Sequence, residues 1–197
     1  MSKFTLVLTL LCVAVAAQAS PIFNDGFNGV TNSMFVTVDA GGTIGPWTVS
    51  SGSVDWIGGY WQPAGGDGSI DIAGNGPGAL STTLSTVVGQ SYTLSFYLAG
   101  NPDGGDPNKF LQVQVGDLNQ VFTFNTSGHS HTSMGWTLES VSFTATANNT
   151  LTFSSPTVGS PYGAALDEVT VSPVPEPATY AFALLGLASI GLFRRRR

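Results

Sequence analysis

The amino-acid sequence predicts an all-β protein, a single antiparallel β-sandwich of the jelly-roll type between an N-terminal signal peptide and a single C-terminal transmembrane helix. Three observations support this prediction. Short runs rich in β-branched and aromatic residues recur between clusters of Gly, Asn, Asp, Ser and Pro. Several runs alternate apolar and polar residues with a period of two, the pattern of a strand with one buried face. Each end of the chain carries an apolar stretch next to basic residues.

The first element is a signal peptide over residues 1–19. Lys3 supplies a positive start, an uncharged and mostly apolar run covers 4–17, and Ala17-Gln18-Ala19 matches the small-x-small pattern that signal peptidase cleaves. We expect cleavage after Ala19. A permanent membrane anchor is the alternative, but this run is shorter than the roughly 20 residues that span a bilayer.

The second element is the β-sandwich domain, over residues 20–172. In its clearest strand, Tyr92, Leu94 and Phe96 share one face while Thr93 and Ser95 share the other. Eight to eleven such strands separated by turn signals are typical of a sandwich. We predict strands at 34–38, 52–57, 92–98, 110–115, 121–124, 136–145, 151–153 and 169–171, with a further short strand at 69–72.

The charge of this domain excludes one class of function, and its lack of cysteine limits how it can be stabilised. Between residues 20 and 173 the sequence has eleven acidic residues and one basic residue, Lys109. Binding to nucleic acid depends on neutralising phosphates, so this composition excludes it. The only cysteine, Cys12, lies in the signal peptide. A secreted domain without a disulfide must be stabilised by core packing, by a bound metal, or by both.

The glycine-rich segment 58–78 contains the candidate glycan-binding residues Tyr60, Trp61, Gln62 and Asp67. Flat aromatic rings on loops can pack against the faces of sugars, and the polar side chains nearby can hydrogen-bond to hydroxyl groups. The alternative is that these aromatic residues fill the core, which we expect for Trp56. The glycine-rich segment 100–108 is predicted to be a plain surface loop.

The third element is the C-terminal segment 173–197. It contains Pro175, Glu176 and Pro177, then an uncharged stretch at 178–193, and it ends with Arg194, Arg195, Arg196 and Arg197. As a helix the stretch is about 24 Å long, marginal for a hydrocarbon core of about 30 Å. Flanking arginines can compensate by snorkelling, and they place the tail in the cytoplasm.

This arrangement resembles the PEP-CTERM sorting signal of Gram-negative bacteria that make extracellular polysaccharide. The resemblance implies that an exosortase recognises Pro175-Glu176-Pro177 and processes the tail. The helix is then a temporary membrane anchor. It further implies that the protein is exported to the cell surface or the extracellular matrix.

The domain before the tail resembles the choice-of-anchor C type of extracellular domain, which has a galactose-binding-like jelly roll. Residues 52–62, 92–103 and 165–171 carry the resemblance. In such sandwiches the first and last strands lie close together and often share a structural Ca²⁺. The resemblance therefore implies a Ca²⁺ site at Asp25 and Asp167, since calcium prefers oxygen ligands. The alternative is that both are solvated carboxylates in turns.

These patterns predict a non-catalytic surface protein that binds exopolysaccharide. The alternatives are a structural or adhesive protein that binds no glycan, and a secreted glycan-active enzyme in which Glu139 takes part. His129 and His131 are spaced to ligate a metal side by side, but no cysteine or cluster of glutamates accompanies them.

Overall fold

Thirteen β-strands form the secondary structure of residues 19–30 and 34–175, the part of the chain that the computed structural model describes. Several predicted features lie outside these ranges: the signal peptide up to residue 18, Glu176 and Pro177 of the sorting motif, the predicted helix at 178–193 and the four terminal arginines. Within them, no helix is long and apolar enough to cross a membrane. The strands are β1 (Phe23–Asp25), β2 (Phe35–Asp39), β3 (Thr43–Ile44), β4 (Trp47–Ser51), β5 (Ser53–Ile57), β6 (Ser69–Asp71), β7 (Ala79–Thr83), β8 (Ser91–Gly100), β9 (Asn108–Val115), β10 (Leu118–Asn125), β11 (Thr137–Thr144), β12 (Thr150–Ser154) and β13 (Ala164–Pro173).

The strands form two antiparallel sheets, so the prediction of an all-β antiparallel sandwich is confirmed. The first sheet has the order β11-β8-β13-β6-β5-β2, and β1 pairs with β13. The second sheet has the order β10-β9-β12-β7-β4-β3. Non-consecutive neighbours such as β8 and β13 show that the chain crosses repeatedly between the sheets.

The core lies between the sheets and is rich in aromatic side chains. Phe96 of the first sheet packs edge-on against Phe122 and Phe153 of the second, with ring centroids 5.2 and 5.4 Å apart. Phe153 also lies 5.8 Å from Trp47, which is fully buried. The residues that alternate with Phe96 along β8, such as Tyr97, therefore face away from the second sheet.

The sequence located most of the long strands but missed four short ones. Strands β8, β9 and β12 contain the predicted runs and extend them by one to three residues. The missed strands are β1, β3, β4 and β7. Strand β7, Ala-Leu-Ser-Thr-Thr, has little apolar alternation and forms because it pairs with β4 and β12 on both sides. Tertiary pairing thus outweighs weak local propensity.

Candidate functional site

The segment 58–68 folds over the outer face of the first sheet. Asp167 and Tyr97 are opposite each other in the β13–β8 register, on the row that faces away from the second sheet. The backbone N–H groups of Ala64 and Gly65 donate to Asp167 Oδ2 at 2.8 and 3.1 Å. Because these bonds fix the loop against β13, its first residues are held in place over the sheet.

Tyr60 and Trp61 have different roles in this loop. Trp61 is only 3% exposed, and its indole N–H donates to Ser69 Oγ at 2.9 Å. Tyr60 is half-buried, and its ring centroid lies 5.9 Å from that of Trp61. Trp61 therefore supports the site from below, while Tyr60 offers part of its surface to solvent.

Asp103 holds Tyr60 and His131 together. The Tyr60 hydroxyl donates to Asp103 Oδ2 at 2.7 Å, and His131 Nε2 lies 2.7 Å from Asp103 Oδ1. The hydrogen bond to Asp103 is the main reason that the pKa of Tyr60 rises to about 12. The phenol is protonated at neutral pH, as any tyrosine is, and donates to the carboxylate; the raised pKa extends this state to more alkaline pH.

The rings around Asp103 form a partly exposed aromatic surface, which we call the Tyr60 cluster: Phe35, Tyr60, Trp61 and His131 with Asp103. The Tyr60 and His131 ring centroids are 4.5 Å apart, and those of Tyr60 and Phe35 are 5.4 Å apart. A depression of about 430 Å³ is lined by residues 59–62 together with His131 and Thr132. A second depression of about 370 Å³ lies against Asp103 and shares His131 and Thr132 with the first.

The remaining predicted glycan-binding residues lie in different places. Gln62 is exposed beside the first depression, and its backbone is fixed by hydrogen bonds with the His131 carbonyl and the Trp136 indole. Asp67 instead bonds to the segment 26–30: its Oδ1 accepts from the Gly29 N–H at 2.9 Å. Gln62 thus belongs to the site, whereas the contacts of Asp67 are made elsewhere.

The two predicted calcium ligands lie near the paired first and last strands. Asp25 is opposite Val169 in the β1–β13 register, and its Oδ2 accepts a 2.6 Å hydrogen bond from the Trp47 indole. Both Asp167 oxygens accept from backbone N–H groups. Burial raises the pKa of Asp25, and it raises that of Asp167 to about 7. Among the described residues no group of three or more His, Cys, Asp or Glu could hold a metal, so calcium at this position remains a prediction.

Sequence reasoning missed the central residue of the site, Asp103. Its glycine-rich loop was predicted to be a plain connection, yet the tight turn at 102–105 lets the carboxylate reach the loop that carries Tyr60. His131 faces Asp103, while the His129 ring packs against Phe124 at 5.2 Å. The available signal was the presence of two acidic residues, Asp103 and Asp106, in a loop rich in Gly and Pro.

The fold and the site define a two-sheet antiparallel β-module with an aromatic surface cluster centred on a carboxylate. Comparison with family models shows which family the chain belongs to. Residues 20–172 match the model described as protein of unknown function (DUF642), and residues 173–197 match the PEP-CTERM protein-sorting motif. The chain belongs to the DUF642 family. Its sorting motif implies processing by an exosortase and export to the cell surface.

One curated protein and several solved structures are also similar to this chain. Halomucin of Haloquadratum walsbyi is 33% identical over 172 residues, which cover 82% of this chain and 2% of halomucin. The CBM22-1 xylan-binding domain of Paenibacillus barcinonensis Xyn10C is 14% identical, with 82% of this chain and 99% of that chain covered and a TM-score of 0.49. The K2 adhesin domain of Lys-gingipain is 17% identical, with 76% and 98% covered and a TM-score of 0.46.

Proposed function

We propose that this protein is a non-catalytic, exosortase-sorted surface protein whose β-sandwich binds exopolysaccharide through the Tyr60 cluster. The proposal includes the finer assignments: a choice-of-anchor C type, galactose-binding-like jelly roll, a signal peptide removed after Ala19, and a transient membrane helix at 178–193. The observation that carries the binding proposal is the partly exposed Tyr60 ring, held beside an open depression by its hydrogen bond to Asp103.

The chemistry of the cluster matches that of a sugar. A pyranose has an apolar face of C–H groups and a rim of hydroxyls, so it packs on an aromatic ring while its rim needs donors and acceptors. Tyr60 supplies the ring, and Gln62 and His131 line the same depression with groups that form hydrogen bonds. The bonds that Asp103 and Trp61 make hold the ring in place before a ligand arrives, which lowers the entropic cost of binding.

The surroundings of Asp103 support a binding role over hydrolysis. Glycoside hydrolysis by the usual route needs two carboxyl groups on opposite sides of the scissile bond. Of the described residues that line the two depressions, Asp103 alone carries a carboxylate. Both of its oxygens are engaged, one by Tyr60 and one by His131.

A binding experiment with the full chain in detergent micelles tests the proposal. Glycan arrays identify the bound oligosaccharide, and calorimetric titration then compares wild type with Tyr60→Ala and Tyr60→Phe. We expect Tyr60→Ala to weaken binding about tenfold because the stacking ring is lost. Tyr60→Phe keeps the ring and should lose less. Val158→Ala, at a 92% exposed side chain in another loop, is the control.

Two results would contradict the proposal. Wild-type protein that binds no glycan on the array favours the structural or adhesive alternative. Binding that Tyr60→Ala leaves unchanged shows that the sugar is held elsewhere. Trp61→Ala is a poor test because Trp61 is buried, and its truncation would disturb packing beneath the loop.

A further inference from the structure

The outer face of the second sheet carries no charged side chain. In β9, Leu111 and Val113 are buried in the core, so Gln112 and Gln114 point outward, and the register extends this assignment to the neighbouring strands. Apart from Ala79, Phe110 and Val121, the outward positions across the six strands are hydroxyl or amide side chains: Thr43, Thr48, Ser50, Ser51, Ser81, Thr83, Asn108, Gln112, Gln114, Asn119, Thr123, Asn125, Thr150, Thr152 and Ser154.

One line of these side chains crosses the whole sheet in register, and we call it the polar rank. Each member is the direct partner of the next on the neighbouring strand, and all six can hydrogen-bond: Thr43, Thr48, Ser81, Thr152, Gln114 and Asn119. Strands lie about 4.8 Å apart, so five steps place the ends of the rank about 24 Å apart. The rank therefore presents regularly spaced hydrogen-bonding groups perpendicular to the strands.

A depression opens along part of this rank. It has a volume of about 510 Å³, and Thr48 and Ser81 belong both to its lining and to the rank. Four further hydroxyl side chains line it, and the half-buried Ile22 and Phe23 add apolar surface. A sugar chain has hydroxyl groups beside apolar C–H groups. The hydroxyl side chains of the depression can hydrogen-bond to the sugar hydroxyls, and its apolar surface can pack against the C–H groups.

The charge distribution selects among polymers. The eleven acidic residues of the domain repel a polyanion. The only Lys or Arg among the described residues, Lys109, is 3% exposed, and its amine donates to the carbonyls of Gly104 and Tyr162 rather than to a partner on this face. A polycation would find no carboxylate on the face. Hydroxyl and amide groups both donate and accept, as sugar hydroxyls do. The face therefore matches an uncharged polyhydroxylated chain.

We infer that the outer face of the second sheet binds an extended, uncharged polysaccharide that lies across the strands along the polar rank. This surface is separate from the Tyr60 cluster, which lies with the loops over the first sheet. It gives the protein a second glycan-binding surface and rests on the proposed function only in the general class of ligand.

Affinity electrophoresis of the full chain in non-ionic detergent tests the inference. Native gels contain hydroxyethyl cellulose, glucomannan or dextran as neutral polymers, or alginate as a polyanion. The variant Gln114→Glu/Thr152→Asp places two negative charges at the centre of the polar rank. The matched control, Ser140→Asp/Ser142→Asp, adds the same charge at exposed positions on β11 of the first sheet.

We expect at least one neutral polymer to retard the wild type and the control, and alginate to retard neither. The rank variant should bind about tenfold more weakly, because each carboxylate lacks the hydrogen-bond donor of the side chain it replaces and costs more to desolvate. Tyr60→Ala should retain this retardation, which separates the inference from the proposed function. Three results would overturn the inference. The first is that no neutral polymer retards the wild type, and the second is that alginate retards it equally. The third is that Tyr60→Ala loses binding while the rank variant binds as well as the wild type. A rank variant that dissociates a wild-type dimer in sedimentation would also overturn it, by assigning the face to a second copy of the chain.

Discussion

Replacing Asp71 by asparagine should change how the stability of the domain depends on pH. Asp71 ends β6 and is fully buried. Its Oδ1 accepts hydrogen bonds from the N–H groups of Ala73 and Gly163 at 2.9 and 3.0 Å, and its Oδ2 accepts from Asn101 Nδ2 at 2.8 Å. Burial raises the pKa of Asp71 to about 8, because desolvation of the carboxylate outweighs the three hydrogen bonds.

A raised pKa means that the folded protein binds a proton more tightly than the unfolded chain. The contribution of Asp71 to stability is therefore fully present below the unfolded pKa of about 3.9 and is lost as the pH rises through about 8. Asp167, with a pKa raised to about 7, acts in the same direction over a narrower range. The wild-type protein should thus be more stable at pH 5 than at pH 8.

Within that window each such group changes the free energy of unfolding by about 1.4 kcal/mol per pH unit. Between pH 5 and pH 7, Asp71 alone removes about 2.7 kcal/mol. For a domain of this size 1 kcal/mol shifts the melting temperature by about 2–4 °C, so the fall is about 5–11 °C.

In the variant Asp71→Asn, the free energy of unfolding should lack the part of the pH dependence that Asp71 causes. At pH 5 we expect the variant to be about 1 kcal/mol less stable than wild type. The side-chain NH2 group of the new asparagine would face the NH2 group of Asn101, and two donors cannot form the hydrogen bond that Asp71 Oδ2 accepts. At pH 7 to 8 the variant should be the more stable of the two, since it buries no charge. The two curves of melting temperature against pH should therefore cross.

Calorimetric melting of the full chain at pH 5, 6, 7 and 8, at constant ionic strength, measures this. Asp39→Asn removes an exposed carboxylate and is the matched control, whose curve should run parallel to that of wild type. Parallel curves for Asp71→Asn and wild type would refute the reasoning, since they would show that Asp71 does not change its protonation on unfolding.

Two further predictions concern the metal and the tail. If Ca²⁺ binds through Asp25 and Asp167, calcium at about 100 times its dissociation constant should add about 2.7 kcal/mol to stability, and Asp25→Asn should abolish the effect. Identical melting curves with calcium and with chelator would contradict the site. If an exosortase cleaves near Pro177, mass spectrometry should find mature surface protein that ends there, and Glu176→Ala should leave full-length protein in the membrane. A mature surface form that still contains Phe193 would contradict processing.

The sequence by itself determined the class of fold and the sorting of the chain. A strand with one face in the core has a period of two whatever its partners are, so β8 and β9 could be recognised without knowing the sheets. The C-terminal segment was equally readable, because a sorting motif is recognised as a short continuous sequence and its resemblance needs no tertiary contact.

Tertiary structure decided the site. Asp103 lies 43 positions from Tyr60 and 28 from His131, so only the packing of three loops brings them together. It also separated Tyr60 from its neighbour Trp61, because the loop buries one ring against Ser69 and leaves the other partly exposed. A residue's type and spacing fix which contacts it can make. Burial and the approach of distant loops decide which of them it does make, and these depend on the whole chain being folded.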